Sequence, residues 1–139
     1  MGTWDVGPFD NDDAADWCGD LDEAPAEERP GMIRAALVAA ADADADGYLD
    51  VGDAVWAIAA AAIVASQLPG GEPIDSAYAP DFLVDGGTVA LPDDAAVLAV
   101  RALDRIVADE SEWRDLWEES DSFDEALAVI QDLRALLAR

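Results

Sequence analysis

The sequence predicts an all-α protein, a compact bundle of about five to six helices, and three observations support this fold class. Apolar residues recur at helical spacing in six segments of the chain. No segment alternates apolar and polar residues convincingly, as a half-buried strand would. The chain has 139 residues, enough for one hydrophobic core and too few for two ordinary domains. We therefore expect residues 1–139 to form a single acidic helical domain.

Three helices are expected in the first half of the chain. The first follows Phe9-Asp10-Asn11, because an Asp or Asn side chain can accept from free N–H groups at a helix start, and it runs to about Leu21. The second is expected over 30–41, with proline in its first turn. Its core face comprises Ile33, Leu37, Val38 and Ala41. The third, Val51–Gln67, is apolar nearly all round and should lie at the centre of the core.

Residues 68–91 are rich in proline and glycine and form the one long irregular stretch. A loop of this length in a compact domain is often functional or mobile. A short strand pair around 82–84 and 88–90 is one interpretation of its second half. A fourth helix is expected after Pro92-Asp93-Asp94. Its core stripe comprises Val97, Val100, Leu103 and Val107.

Two helices are expected near the C-terminus. One covers about 111–119 and carries Trp113, Leu116 and Trp117 on one side. Ser122 and Glu125 have the spacing of a capping box, which opens the last helix. The core face of that helix comprises Phe123, Ala126, Ile130, Leu133 and Leu137. Across the whole chain, the large side chains expected to be buried include Trp17, Trp56, Leu103, Ile130 and Leu137.

The charge balance excludes some classes of partner. The chain has 32 Asp and Glu residues against seven Arg and no Lys or His, a formal net charge of −25. Direct binding to nucleic-acid phosphates or to an anionic membrane surface is not expected, and cations or basic proteins are the natural partners. A GC-rich genome or a salt-adapted cytoplasm would also explain such a composition, since dense carboxylates keep a protein hydrated in salt.

The sequence indicates a cytoplasmic protein. The lone cysteine, Cys18, cannot form an internal disulfide, and the N-terminus lacks the charged and apolar regions of a secretory signal. The uncharged, mostly apolar stretch 54–68, which ends before Pro69, is about 15 residues and falls short of the roughly 20 that span a bilayer. We expect this run to be a buried helix rather than a membrane segment.

The opening residues, 4–17, follow the pattern W-x-x-G-x-F-x-N-D-x-A-x-D-W. This pattern resembles the start of the bacterial domain-of-unknown-function family numbered 4259, although Asp5 stands where glycine is usual. Gly47-Tyr-Leu-Asp50 and the stretch from Ser111 to Ser120 resemble the same family. The resemblance implies a small stand-alone bacterial protein and implies no chemistry. The opening aromatic residues are explained by packing alone, and the alternative is that the aspartates over 10–16 face a basic partner.

The segment 42–53, D-A-D-A-D-G-Y-L-D-V-G-D, matches a twelve-residue EF-hand loop with glycine at position 6. Calcium binds six to eight oxygen atoms, so alternating carboxylates and one backbone carbonyl are suitable ligands. The predicted ligands are Asp42, Asp44, Asp46, the Tyr48 carbonyl, Asp50 and Asp53. The ion expected is calcium, with magnesium as the alternative, because Asp53 is shorter than the usual glutamate and no second loop of this pattern exists for pairing.

A second interpretation of this segment needs no metal. Its aspartates would solvate a turn, and Asp50 or Asp53 would cap the third helix. A chain so rich in aspartate produces parts of the motif by chance, so both interpretations stay open at this point.

Two classes of function follow. The first is a non-catalytic protein of unknown biological role with a divalent-cation site at 42–53. The second is an immunity or inhibitor-type protein that binds a basic protein or toxin through its acidic surface. An enzyme is not expected, because without His or Lys both acid–base and nucleophilic chemistry lack their usual partners.

Overall fold

The computed structural model describes residues 12–42, 47–68, 89, 91 and 93–138. These residues contain six α-helices and no β-strand. The helices are α1 (Asp12–Glu23), α2 (Arg29–Ala41), α3 (Val51–Gln67), α4 (Ala95–Val107), α5 (Glu112–Glu118) and α6 (Phe123–Leu137). The all-α prediction is confirmed, and α3 has the predicted bounds. The predicted cap at 10–11, the strand pair and nearly all of the 68–91 stretch lie outside the described residues.

A short 3₁₀ helix, Ala26–Glu28, joins α1 to α2 and was not predicted. Arg29 fixes this connection, because its Nε donates to the Leu21 carbonyl at 3.0 Å and its Nη2 to the Asp22 carbonyl at 2.9 Å. The last carbonyls of a helix have no partner within the helix, so a guanidinium group at this place completes the end of α1.

The core forms where α2, α3 and α4 pack on one another, with α1 and α6 packing on α3. α3 is central, as predicted: eleven of its 17 residues are buried, and six of these are alanines between Ala57 and Ala65. Alanine has little side-chain volume, so neighbouring helix backbones can approach α3 closely. Trp17, Leu103, Ile130 and Leu137 are buried as predicted.

Trp56 is the exception among the large side chains, because it is 41% exposed. Its indole N–H donates to the backbone carbonyl of Asp13 at 3.1 Å. A tryptophan N–H needs a hydrogen-bond partner, and a position at the edge of the core, beside the start of α1, provides one. The prediction of burial was wrong because α3 is so apolar that its pattern does not distinguish one face from another.

The core face predicted for α4 was also wrong, except at Leu103. Val97 is 63% exposed, whereas Val100 and Val107 are only partly buried. The buried side chains are Ala95, Leu98, Ala99, Ala102, Leu103 and Ile106. The predicted and observed faces share Leu103, but Leu98, Ala99, Ala102 and Ile106 take the place of the valines, because α4 packs on both α2 and α3 and its buried face is set by these neighbours. In α2, Ala36 and Ala40 likewise replace the predicted Val38 and Ala41 beside the buried Ile33 and Leu37.

The last two helices follow the prediction with changes at their starts. Trp113 and Trp117 of α5 are buried, and Leu116 is half-buried. α6 begins at the predicted place, but the Ser122 side chain makes no capping hydrogen bond, so the predicted capping box is absent there. Instead, the Ser122 backbone N–H donates to the Ser120 hydroxyl at 3.0 Å. Phe123 at the start of the predicted core face is only partly buried.

Candidate cation-binding loop

The candidate loop lies between two helices of the core, as the motif requires, because α2 ends at Ala41 and α3 begins at Val51. Asp42, Asp50 and Asp53 are exposed, and Asp44 and Asp46 lie outside the described residues. Among the residues that are described, no three Cys, Asp or Glu side chains come close enough together to hold a metal ion.

Two arginines of α4 reach the first half of the loop. Arg101 Nη2 lies 3.0 Å from Asp42 Oδ1, and both side chains are about half exposed. Arg105 Nη2 donates to the Gly47 carbonyl at 2.7 Å. The two arginines are four residues apart and so share a face of α4. Neither arginine belongs to the core stripe that the sequence predicts for α4, and nothing in the sequence indicates that they contact this loop.

The second half of the loop is held by Leu49. Its N–H donates to the Glu110 carbonyl and its carbonyl accepts from the Glu112 N–H, both at 2.9 Å. These bonds make a parallel backbone bridge between Leu49 and Ser111. The Leu49 side chain is only 2% exposed. The sequence predicts no second loop of the same pattern for pairing, and the partner that the structure shows for Leu49 is the turn between α4 and α5, which has no such motif.

The start of α3 is capped by a residue from α5 rather than by the loop. Glu112 Oε1 accepts from the Val51 backbone N–H at 2.9 Å. Asp50 occupies the N-cap position with extended backbone, but its side chain makes no capping bond. The metal-free interpretation of 42–53 assigned this cap to Asp50 or Asp53. Since a carboxylate at a helix start also meets the positive end of the helix dipole, Glu112 serves this purpose and Asp50 stays exposed.

The turn that receives Leu49 carries an unusual backbone conformation. Glu110 has φ = 63°, in the left-handed region that residues with a side chain rarely adopt. Its carbonyl accepts from both the Leu49 N–H and, at 3.1 Å, Arg105 Nη2. The turn also has a side-chain cap, because the Ser111 hydroxyl accepts from the Arg114 N–H at the start of α5. The left-handed conformation of Glu110 thus places its carbonyl within reach of two donors, the Leu49 N–H and the Arg105 guanidinium group.

Tyr48 stands where the loop meets α5. Its ring is 50% exposed, and its hydroxyl donates to Asp115 Oδ2 at 2.6 Å. This hydrogen bond, with partial desolvation and the negative charges of Asp115, Glu112 and Glu110, raises the pKa of Tyr48 to about 12. The predicted role of Tyr48 uses its carbonyl, so the hydroxyl contact is an additional finding. The hydroxyl end of this exposed side chain therefore lies in a negatively charged environment.

The two stretches that carried the family resemblance meet at this place. Tyr48 and Leu49 belong to one, and Ser111, Glu112 and Asp115 belong to the other. A family model described as a domain of unknown function (DUF4259) matches residues 2–128. The chain belongs to the DUF4259 family. No curated protein and no solved structure matches this chain.

Elsewhere in this DUF4259 chain, Cys18 is buried on α1. Burial, with a smaller effect of the nearby Asp22 carboxylate, raises the pKa of the Cys18 thiol to about 12. A thiol with so high a pKa is a poor nucleophile near neutral pH, which fits a structural residue.

None of the helices within the described residues has the length and apolar character that crossing a bilayer requires.

Proposed function

We propose that this DUF4259 protein is a non-catalytic protein that binds a divalent cation at the loop 42–53. Calcium is the first candidate and magnesium the second, because both ions prefer oxygen ligands. The proposed ligands are the carboxylates of Asp42, Asp44, Asp46, Asp50 and Asp53 and the backbone carbonyl of Tyr48.

The observation that carries the proposal is the anchoring of Leu49. Its buried side chain and its two backbone hydrogen bonds fix the chain between the proposed ligands Tyr48 and Asp50. A fixed backbone lowers the entropy cost of arranging ligands around an ion. Helices of the core also lie on both sides of the loop, as a helix–loop–helix cation site needs.

The affinity should be low. Asp53 at position 12 has a shorter side chain than the glutamate that usually binds with both oxygens. Asp42 at position 1 is in an ion pair with Arg101. We expect a dissociation constant for calcium of about 10⁻⁵ to 10⁻³ M, the weak end of the EF-hand range.

Calorimetric titration with Ca²⁺ and Mg²⁺ at constant ionic strength tests the proposal, together with thermal unfolding. When free metal is 100 times the dissociation constant, binding stabilises the fold by about 2.7 kcal/mol, several degrees in melting temperature for a domain of this size. Asp42→Ala should abolish this shift.

Asp94→Ala is the matched control. It also removes one carboxylate and one 3.0 Å ion pair, the pair with Arg34, and that pair has similar exposure. We expect Asp94→Ala to keep the response of the wild type to calcium. If both variants and the wild type respond identically to millimolar Ca²⁺, the aspartates only solvate a turn and the proposed site is wrong.

The second candidate function is binding of a basic protein, as an inhibitor or immunity-type protein would do. The exposed Tyr48 ring beside the Glu110, Glu112 and Asp115 carboxylates favours it. Tyrosine is enriched among residues that dominate interface energies, and surrounding charge of one sign steers an oppositely charged partner. Tyr48→Ala should then abolish capture of one basic protein, whereas Asp132→Ala on the exposed face of α6 should not.

A further inference from the structure

The segments 47–51 and 109–112 lie against each other, although about 60 positions separate them in the chain. Leu49 makes two backbone hydrogen bonds, one with Glu110 and one with Glu112. The Glu112 side chain also accepts from the Val51 backbone N–H at 2.9 Å, at the start of α3. We call these two segments the clasp. The clasp joins the connection between α2 and α3 to the turn between α4 and α5.

One arginine of α4, Arg105, holds both halves of the clasp. Its Nη2 donates to the Gly47 carbonyl at 2.7 Å and to the Glu110 carbonyl at 3.1 Å. Its Nη1 donates to the Asp109 carbonyl at 3.3 Å. Hydrogen bonds from a charged donor are stronger than those between neutral groups. Arg105 therefore fastens the two segments to each other and to a helix of the core.

The clasp contains a residue that is strained when the clasp is closed. Glu110 has φ = 63°, and a residue with a side chain adopts this left-handed conformation only at a cost in free energy. In this conformation its carbonyl accepts from Leu49 and Arg105. When both bonds break, Glu110 can return to an ordinary backbone conformation. The closed clasp is therefore less stable than its hydrogen bonds alone would make it.

We infer that the clasp is a conformational device that opens and closes as one unit while the helical core stays folded. Its hydrogen bonds share groups, because the Glu110 carbonyl has two donors and Glu112 uses both its backbone and its side chain. The loss of one bond therefore displaces a group that another bond needs. The inference goes beyond the proposed function and does not depend on cation binding.

The open form is a minor form that the native protein can reach. Asp109 and Glu110 are exposed, and backbone hydrogen bonds that water reaches are typical of segments that open locally. The buried side chain of Leu49 opposes opening, because it enters water when the clasp opens. Trp113 and Trp117 are buried and keep α5 on the core while the turn before it moves.

Native-state hydrogen exchange followed by NMR tests the inference, in a buffer with a chelator so that no divalent ion takes part. The backbone amides of Leu49, Val51 and Glu112 report on the clasp, because their N–H groups donate across it. We expect all three to show one opening free energy with a weak dependence on urea, since local opening exposes little surface. The amide of Ile63, in the buried part of α3, should show a higher opening free energy and the urea dependence of global unfolding.

Two substitutions should shift the three amides together, in opposite directions. Arg105→Gln removes the guanidinium group, and we expect exchange about tenfold faster. Glu110→Gly relieves the strain of the closed form, and we expect exchange about two- to fivefold slower. Arg101→Gln is the matched control, because it removes the same charge from the same helix but only an exposed ion pair with Asp42, outside the clasp. It should change the three rates by less than about twofold.

Any of three results would overturn the inference. The three amides could exchange only with global unfolding, at the free energy and urea dependence of Ile63. They could open with different free energies in the wild type, which would mean that the bonds break independently. Arg105→Gln could accelerate only the Leu49 amide, with which it shares an acceptor. If Arg105→Gln does not fold, Glu110→Gly decides: equal slowing of the three amides supports the clasp, and unequal or absent slowing refutes it.

Discussion

Replacing Glu110 with glycine should stabilise this protein, although most substitutions do the opposite. Glu110 has φ = 63°, and the left-handed conformation costs a residue with a side chain about 1–2 kcal/mol. The turn between α4 and α5 holds the residue there because its carbonyl accepts from Leu49 and Arg105. Glycine adopts the same conformation without that cost.

The expected gain is smaller than the strain itself. Glycine increases the backbone entropy of the unfolded chain, which destabilises the fold by about 0.5–1 kcal/mol. Glu110→Gly should therefore increase the free energy of unfolding by about 0.5–1 kcal/mol. Glu119→Gly is the control, because Glu119 is also exposed but has φ = −79°, where glycine brings no relief. That variant should lose about 0.5–1 kcal/mol.

Both variants remove one surface carboxylate, so the difference between them is independent of charge. We expect this difference to be about 1–2 kcal/mol in urea unfolding followed by circular dichroism, or several degrees in melting temperature. If Glu110→Gly loses as much stability as Glu119→Gly, the left-handed backbone at the α4–α5 turn is not strained, and the reasoning is refuted.

Three further results are expected. Leu49→Ala should lower the free energy of unfolding by about 2–5 kcal/mol, because its side chain is buried; a loss below about 1 kcal/mol in urea would contradict this. Native protein should react with iodoacetamide at pH 8 only as fast as it unfolds. Fast labelling of the native protein would instead show that the thiol is accessible. The pKa of Cys18 is raised from 9.0 to about 12, so the thiol contributes stability below pH 9, and this contribution is lost as the pH rises towards 12. Finally, the melting temperature should rise between low and molar salt, and a value independent of ionic strength would oppose the screening argument.

The local parts of the fold could be predicted from the sequence. α3 was predicted with its observed bounds, because a long apolar run between Asp50 and the Pro69-Gly70-Gly71 sequence leaves few alternatives. The face that each helix buries was harder to predict. In α4, both the stripe with Val97 and the stripe with Leu98 are apolar, and which of them is buried depends on where the neighbouring helices α2 and α3 pack.

For the candidate site, too, the local structure could be predicted from the sequence and the long-range contacts could not. The spacing within 42–53 predicts a loop between two helices, and the structure has those helices. The contacts that hold the loop come from residues about 60 positions later: Arg101 and Arg105 on α4 and Glu112 on α5. Local periodicity carries no information about which distant turn a loop meets. The only sequence signal was the pair of arginines four residues apart on a helix of a chain with few arginines.

The direction of the salt effect depends on two opposing terms. Salt weakens attraction within ion pairs, and four are present among the described residues: Arg34–Asp94, Arg101–Asp42, Arg114–Glu118 and Arg134–Asp104. Each is partly or half exposed, so together they contribute at most about 4 kcal/mol, and salt removes only part of it.

Salt also weakens repulsion among the carboxylates. The net charge of −25 is confined on folding to a body with a radius of gyration of about 14 Å, and the repulsion relieved by raising the salt from about 0.1 to 1 M is on the order of 10 kcal/mol or more. The expanded unfolded chain gains some of this relief too, but its charges are further apart, so the folded state gains more. Repulsion therefore decides the sign of the salt effect, and monovalent salt should stabilise the fold.

A divalent ion that acts only through screening should stabilise the fold according to ionic strength in the same way. Ca²⁺ and Mg²⁺ should then have equal effects, and Asp42→Ala should respond like the wild type. A stabilisation by Ca²⁺ that saturates and that Asp42→Ala abolishes is not produced by screening. Such a response would require coordination at the loop.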